Sequence, residues 1–122
     1  MTDFQLNFLG INTINFDKML RFYTEVMLLS IKYSKPGWAA FKTTGMKLEL
    51  FSTGKISHPT TAKNSTQSPV FIGFETQNIQ EALDWMKSKN VPIIENLASH
   101  RWGKDFYFKD PDGNMIQIAQ YI

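Results

Sequence analysis

Residues 8–22, FLGINTINFDKMLRF, return 63 positions later as residues 71–85, FIGFETQNIQEALDW. The similarity resumes further along the chain, where residues 41–50 correspond to residues 108–118 with one extra turn residue in the second copy. An internal repeat of this kind describes the whole fold, because each copy is one unit of structure. The sequence therefore predicts two tandem modules with the same order of strands and helices.

Length and composition limit the number of domains and the class of protein. A chain of 122 residues is the size of one domain, and it buries roughly two-thirds of its unfolded surface on folding. Hydrophobic residues make up 43% of the chain, which excludes a disordered protein. No apolar run approaches the ~20 residues of a membrane span, and the first residues carry no secretory signal. We therefore predict one soluble domain, residues 1–122, in the cytoplasm, with no membrane partner.

Two further features of the composition exclude classes of function. The chain has no cysteine, so it has no disulfide, no thiolate nucleophile and no Cys-ligated zinc. The net charge is only +2, and Lys and Arg are scattered along the chain. Nucleic-acid-binding domains concentrate these residues on one face. We therefore expect no nucleic-acid partner.

Residues 1–52 are predicted to form module one. Alternating apolar residues over 5–13 indicate a strand, and Asn15 follows as a helix N-cap. The apolar residues of the next segment share one helical stripe: Phe16, Met19, Leu20, Tyr23, Val26 and Met27. Turn signals then separate three strands, at residues 29–34, 38–43 and 46–52. Module one therefore reads βαβββ.

Residues 69–122 are predicted to repeat this order as module two. A strand at 69–76 precedes a helix that begins at Asn78, with Glu81 three positions later as in a capping box. Three more strands are expected, at residues 92–97, 104–109 and 114–121. Between the modules, residues 53–68 are rich in Ser, Thr, Lys and Asn, which predicts a solvated connector.

Two βαβββ modules predict an α+β fold in which a curved mixed sheet surrounds a cup. Side chains alternate along a strand, so one face of each sheet meets the helices and the other lines the cup. The predicted lining mixes aromatic, amide and carboxylate side chains: Phe8, Gly10, Asn12, Lys47, Glu49, Phe51, Phe71, Gly73, Glu75, Met115, Gln117, Ala119 and Tyr121. A lining of this kind is typical of a ligand-binding cleft.

Several short motifs accompany the tandem βαβββ pattern. They are FYTEV at residues 22–26, Trp102-Gly103, FYF at 106–108 and DPDGN at 110–114. With them the chain resembles, over nearly its whole length, the vicinal oxygen chelate superfamily. That superfamily includes glyoxalases, extradiol dioxygenases, fosfomycin-resistance enzymes and bleomycin-resistance proteins, and the chain looks most like the bleomycin-resistance or glyoxalase-like branch.

One local departure from the family pattern concerns the end of the first helix. The family usually has a glycine there, and this chain has Leu28. Helix one must therefore end without the residue that most easily adopts a left-handed conformation.

The resemblance also implies four metal-ligand positions, on the first and last strand of each module, usually His and Glu. In this chain they hold Phe8, Glu49, Phe71 and Gln117. A phenyl ring has no lone pair for a metal, and one carboxylate with one amide falls short of the usual coordination. Gln117 also cannot serve as the metal-bound base of a glyoxalase-type proton abstraction. We therefore expect no metal, no other cofactor and no glyoxalase activity, and we assign no catalytic residue.

The candidate ligand-binding residues are Phe8, Trp38, Glu49, Phe51, Phe71, Trp102, Gln117 and Tyr121. Phe8 and Phe71 are related by the repeat and could hold a planar ligand by stacking. The alternative is that both rings only fill a redundant cavity. Trp102 and Trp38 are predicted at the rims of the cup, with Trp102 the stronger candidate of the two.

The polar candidates also have more than one interpretation. Glu49 is predicted to orient the ligand as an acceptor rather than to act as a base; alternatively it pairs with Lys47 or hydrogen-bonds Gln117. His100 and His58 are predicted to be solvated loop residues. The motif at residues 110–114 is predicted to be a turn.

Three hypotheses about function follow. The first is a metal-free small-molecule-binding protein of this family, in which a dimer or a tandem pair of modules sequesters an antibiotic, with a role in antibiotic resistance, or an aromatic metabolite. The resemblance implies a homodimer, and the sequence leaves open whether the modules pair within one chain or between chains. The second is an enzyme of the lyase, isomerase or dioxygenase type, with an atypical metal site around Glu49 or with metal-free chemistry at Glu49 or His100. The third is an interaction domain that retains only the fold.

Overall fold

A computed structural model of the chain describes residues 3–52 and 70–122. These residues form two compact units, which correspond to the predicted modules and are called module one and module two below. The predicted connector at 53–68 and His58 lie outside the described residues. Within the described ranges, neither helix has the length and apolar character needed to span a bilayer.

Module one contains a four-stranded sheet and one helix. Its elements are β1 (Phe8–Thr13), α1 (Phe16–Arg21), a π-helical turn (Phe22–Val26), β2 (Ile31–Lys35), β3 (Trp38–Phe41) and β4 (Lys47–Ser52). The strand order is β1-β4-β3-β2, with β1 parallel to β4 and the other pairs antiparallel.

Module two repeats this topology. Its elements are β5 (Ile72–Glu75), α2 (Ile79–Ser88), β6 (Ile93–His100), β7 (Gly103–Lys109) and β8 (Met115–Tyr121). The strand order is β5-β8-β7-β6, with β5 parallel to β8. The predicted α+β class and the tandem βαβββ order are therefore confirmed.

Each module has a hydrophobic core between its helix and one face of its sheet. In module one the buried side chains include Met19 and Tyr23, and the Tyr23 ring lies 5.9 Å from the ring of Phe41. In module two, α2 packs on β7 and β8. The buried apolar residues there include Ile79, Leu83, Met86, Phe106, Phe108, Ile116 and Ile118. Alternation along the strands turns the neighbouring residues to the opposite face.

The two helices begin differently, although an asparagine precedes each. Asn78 caps its helix, because its Oδ1 accepts the Glu81 N–H at 3.1 Å, but only this half of the predicted capping box forms: Glu81 Oε2 accepts from the Asn78 side-chain Nδ2 at 3.4 Å, and the Asn78 backbone N–H donates to Thr76 Oγ1. Asn15 makes no side-chain cap. The backbone N–H of Asn15 donates to Oγ1 of buried Thr13 at 2.8 Å, as that of Asn78 does to Thr76 Oγ1 at 3.3 Å.

The two helices also end differently, because helix one contains one extra residue. The N-caps Asn15 and Asn78 are 63 positions apart, whereas the left-handed residues that follow the helices, Leu28 (φ 61°) and Asn90 (φ 59°), are 62 apart. The π-helical turn absorbs the difference, with the Met27 N–H donated to the Phe22 carbonyl at 3.0 Å. Single-residue insertions in helices commonly take this π form.

We predict that Leu28→Gly stabilises the protein by about 1 kcal/mol. A left-handed conformation costs a residue with a Cβ roughly 1–2 kcal/mol, and the greater flexibility of unfolded glycine offsets part of the gain. Leu28 is 62% exposed, so little packing is lost. Urea unfolding measures the change in the free energy of unfolding.

Asn90→Gly is the matched control for this prediction. Asparagine tolerates a left-handed φ better than leucine does, so this change should stabilise the protein less than Leu28→Gly. Equal effects of the two substitutions would contradict the assignment of strain to Leu28.

Candidate functional site

Each sheet turns one face away from the helix of its own module. Face one, in module one, is formed by Phe8, Gly10, Tyr33, Trp38, Ala40, Lys47, Glu49 and Phe51. Face two, in module two, is formed by Phe71, Gly73, His100, Trp102, Asp105, Tyr107, Gln117 and Tyr121. Every predicted ligand-binding residue lies on one of these two faces.

The parallel strand pairs place equivalent residues at the centre of both faces. Gly10 of β1 lies opposite Glu49 of β4, and Gly73 of β5 lies opposite Gln117 of β8. Glu49 and Gln117 are therefore structurally equivalent, as the sequence repeat predicts. Each polar side chain stands beside a residue with no side chain of its own.

On face one, Glu49 is held by a tryptophan. Nε1 of Trp38 donates a hydrogen bond to Glu49 Oε1 at 2.9 Å. The Trp38 ring is nearly parallel to the ring of Tyr33, with centroids 6.4 Å apart and an angle of 8° between them. The observed partner of Glu49 is thus the indole N–H. Trp38 therefore orients Glu49, in addition to its predicted place at the rim.

Two phenylalanines flank Gly10 on face one. A Cβ added at Gly10 would lie 3.3 Å from the Phe51 ring and 3.5 Å from the Phe8 ring. Phe8 is 45% exposed, so this ring does not fill the core of its own module. Face one therefore places two aromatic rings beside a carboxylate that is already oriented.

The centre of face two is the carboxylate of Asp105, which is only 5% exposed. Asp105 Oδ1 lies 2.7 Å from Nε2 of His100, and its Oδ2 accepts a hydrogen bond from Nε2 of Gln117 at 3.0 Å. The same Gln117 nitrogen is 3.2 Å from the Tyr107 hydroxyl oxygen. A buried carboxylate is costly unless it is hydrogen-bonded, and these neighbours supply the donors.

The surroundings of Tyr107 favour its neutral form. Burial raises the pKa of the Tyr107 hydroxyl above its ordinary value of 10.0, and the negative charges of Asp105 and Glu95 raise it further. A hydrogen bond to Asp105 acts in the same direction, while the one from Gln117 acts against it. Tyr107 therefore keeps its hydroxyl proton over a wider pH range than a free tyrosine does.

One end of face two carries an aromatic platform, formed by His100, Trp102 and Tyr121. The rings of His100 and Trp102 are stacked, with centroids 4.9 Å apart and an angle of 10°. The Tyr121 ring lies 5.5 Å from that of Trp102. Trp102 is 41% exposed and Tyr121 is 57% exposed, so the platform offers ring surface to a ligand.

Several residues depart from the sequence-based expectations. The prediction that His100 is a solvated loop residue is wrong, because His100 ends β6 and is bonded to a buried carboxylate. Asp105 and Tyr107 are not among the predicted site residues. The sequence pattern could have identified them, because they alternate with the apolar Phe106 and Phe108 along one strand. This alternation places them on the same face as Gln117.

Two residues predicted to line the cup are buried, namely Met115 and Ala119, each 2% exposed. The strand predicted at residues 69–76 is shorter in the structure, because β5 begins only at Ile72, and Val70 is 69% exposed. The predicted turn at residues 110–114 is present, and the buried Asp110 holds it by accepting the N–H groups of Asp112 and Asn114.

The residues at the family's metal-ligand positions do not fit a divalent ion. Phe8 and Phe71 have no donor atom. The Glu49 carboxylate accepts the Trp38 N–H, and the Gln117 nitrogen is a donor to Asp105. In the described part of either module, no three His, Asp or Glu side chains are grouped so that they could hold a metal ion.

The family of the protein is shown by its sequence. The profile of the Glyoxalase/Bleomycin resistance protein/Dioxygenase superfamily matches residues 5–118. The chain belongs to this superfamily, and the resemblance seen in its motifs is confirmed.

Solved structures share the fold. A glyoxalase/dioxygenase from Nostoc punctiforme is 22% identical with a TM-score of 0.81, over 97% of this chain and 91% of that one. An integron cassette protein from the mobile metagenome of Vibrio cholerae is 23% identical with a TM-score of 0.72, over 100% and 98%. A lactoylglutathione lyase from Agrobacterium tumefaciens is 18% identical with a TM-score of 0.72, over 95% and 92%. At these identities the likeness concerns the fold alone.

Gly103 explains why the motif Trp102-Gly103 stands where β7 begins. Its φ is 149°, and a Cβ there would lie 2.0 Å from the carbonyl oxygen of Gln120 in β8. Only glycine permits this close approach of two backbones. The approach brings Trp102 beside Tyr121, and the Ile122 N–H donates to the Trp102 carbonyl at 3.1 Å.

We predict that Gly103→Ala destabilises the protein by about 3 kcal/mol, because the new methyl group meets the backbone of β8 in addition to the backbone strain. Gly45→Ala is the matched control. Gly45 also has a positive φ, 81°, but a Cβ there meets nothing within 4 Å, so this change should cost only ~1 kcal/mol. Chemical unfolding of both variants measures the difference, and equal losses would contradict the steric explanation.

A second prediction concerns alkaline pH. Because the pKa of Tyr107 is higher in the folded protein than its ordinary value of 10.0, the folded state holds this proton more tightly than the unfolded state. The contribution to stability is present below that value and is lost as the pH rises through the folded pKa. Tyr107→Phe should therefore lose less stability above pH 10.0 than the wild type. Parallel alkaline losses in the two proteins would contradict the assignment.

Proposed function

We propose that this protein is a metal-free binding protein that sequesters a small, partly aromatic molecule. The observation that carries the proposal is the exposure of Phe8 and Phe71, 45% and 47%, at positions where metal-using relatives carry ligands. Large apolar side chains exposed on a sheet face are a common mark of a binding surface. An antibiotic or an aromatic metabolite in the cytoplasm would fit this chemistry.

The composition of both faces supports binding of an aromatic molecule. Face one combines the rings of Phe8 and Phe51 with the carboxylate of Glu49, and face two combines the ring of Phe71 with the amide of Gln117. Ligand sites in proteins typically pair much apolar and aromatic surface with a few placed polar groups that fix orientation. Ring stacking adds about 0.5–1.5 kcal/mol per pair beyond burial of area.

The polar groups at the centres of the faces support holding a ligand rather than transforming it. Glu49 already accepts a hydrogen bond, from Trp38. Gln117 neither takes up nor releases a proton in the ordinary pH range. Both groups can orient a bound molecule, and neither matches the metal-bound base of a glyoxalase.

A second candidate function is that of an enzyme in the same superfamily. The observation that favours it is the contact between His100 and Asp105 at 2.7 Å, because a carboxylate that orients an imidazole is a common element of acid-base catalysis. Elemental analysis of the purified protein separates the metal-dependent version from the binding protein. Stoichiometric zinc, nickel, manganese or iron would contradict the metal-free proposal.

We predict that Phe8→Ala and Phe71→Ala each weaken binding of a planar aromatic ligand about tenfold, which corresponds to the 1.4 kcal/mol expected for one lost ring contact. The measurement is an equilibrium titration with a panel of aromatic compounds, followed by tryptophan fluorescence. Phe4→Ala is the matched control, since Phe4 precedes β1 and is 90% exposed. Unchanged affinity in both test variants would contradict the proposal.

Assembly is part of the same proposal. We expect a homodimer, and light scattering of the purified protein measures its mass directly. A mass of 14.1 kDa, that of one chain, would contradict the dimer. It would not affect the binding proposal, which the titration tests separately.

A further inference from the structure

The arrangement around Asp105 determines the hydrogen-bonding state of His100. Asp105 Oδ2 already accepts a hydrogen bond from the amide nitrogen of Gln117. A carboxylate has no hydrogen to donate, so it can only accept a hydrogen bond from the imidazole. The nitrogen facing it, Nε2 of His100, therefore carries a hydrogen, which in the neutral form of the ring is its only N–H.

The second ring nitrogen of His100 is then a bare acceptor. Neutral imidazole has one N–H, so a hydrogen on Nε2 leaves a lone pair on Nδ1. Among residues 3–52 and 70–122, no group hydrogen-bonds to this Nδ1. The His100 side chain is 38% exposed, so the ring is accessible to a small molecule.

The surroundings of His100 define the shape of a suitable ligand. Its ring is stacked on Trp102, and Tyr121 extends the aromatic platform. A planar ligand that stacks on this platform would place a substituent of its own ring close to the edge of the His100 imidazole. Aromatic rings stack readily in this offset manner.

We propose that face two binds a planar aromatic molecule that carries a weakly acidic hydroxyl group, a phenol-like compound, and that His100 Nδ1 takes the hydroxyl proton. This inference rests on the proposed binding function and names the class of ligand and the residue that selects it. Asp105 is a positioning residue in this arrangement, because it acts on the ligand only through His100.

The proton balance of the bound state is simple. The ligand O–H bond breaks and an Nδ1–H bond forms, so the phenol becomes a phenolate and the imidazole becomes an imidazolium. Nε2–H still donates its hydrogen bond to Asp105, whose Oδ1 lies 2.7 Å from Nε2. The negative carboxylate thus stabilises the new positive charge of the ring. No oxidant, reductant or further reactant is involved.

The test uses two probes that differ only in the hydroxyl proton, para-nitrophenol and its methyl ether para-nitroanisole. Binding is followed by quenching of tryptophan fluorescence, and the absorbance of the yellow phenolate reports the ionisation of the bound phenol. We expect the protein to bind the phenol about tenfold more tightly than the ether, since a hydrogen bond between charged groups adds about that factor. We also expect the bound phenol to be more ionised than the free phenol in the same buffer.

His100→Gln removes the proton acceptor together with the imidazole ring that is stacked on Trp102. The glutamine amide nitrogen occupies a place similar to Nε2 and can still donate to Asp105, so the carboxylate keeps its donor. This variant should lose the preference for the phenol, which is measured as the ratio of the two affinities because the lost ring surface affects both probes alike. His58→Gln is the matched control, because the chain has only two histidines, and it should retain the preference.

The outcomes separate this inference from the binding proposal. Equal affinity of the wild type for phenol and ether, with no excess of phenolate, would overturn the role of His100 and leave the binding function standing. If neither probe binds, both the role of His100 and the proposed binding function are contradicted. If His100→Gln does not fold, heteronuclear NMR of the wild-type imidazoles decides: a hydrogen on Nδ1 instead of Nε2 in the free protein would overturn the inference.

Discussion

The parallel pairing of the first and last strand in each module is the constraint on which the rest of the structure depends. It sets Gly10 against Glu49 and Gly73 against Gln117, and it requires a crossover connection that carries the helix. The helix then covers one face of the sheet, so the other face is left for the polar and aromatic side chains. A shift of one residue in the pairing of a strand would turn each of its side chains to the opposite face of the sheet.

The two modules share this topology but have different chemistry at equivalent positions. On face one a carboxylate, Glu49, is oriented by an indole N–H. On face two the equivalent residue is Gln117, which donates to the buried Asp105. The negative charge has thus moved from the last strand in module one to the third in module two, and it organises a histidine and a tyrosine around itself. The two modules thus have the same strand topology and different polar groups on it.

Local differences between the copies have equally local causes. The π-helical turn accommodates one extra residue in helix one, so the closing hydrogen bond from Leu29 spans six residues to Tyr23, whereas the bond from Val91 spans five to Met86. Leu28 adopts the left-handed conformation that the family usually gives to glycine. The surrounding packing therefore outweighs the preference of a single residue.

The sequence by itself determined the repeat, the order of the elements, the covered face of each sheet and the absence of metal donors at Phe8 and Phe71, because periodicity and side-chain chemistry are local properties. Only the tertiary structure decided which polar groups meet. His100 and Asp105 are brought together by the tight turn between β6 and β7 and by their antiparallel pairing, and Gln117 reaches Asp105 from β8. Such contacts depend on register and twist, which no single segment of the chain contains.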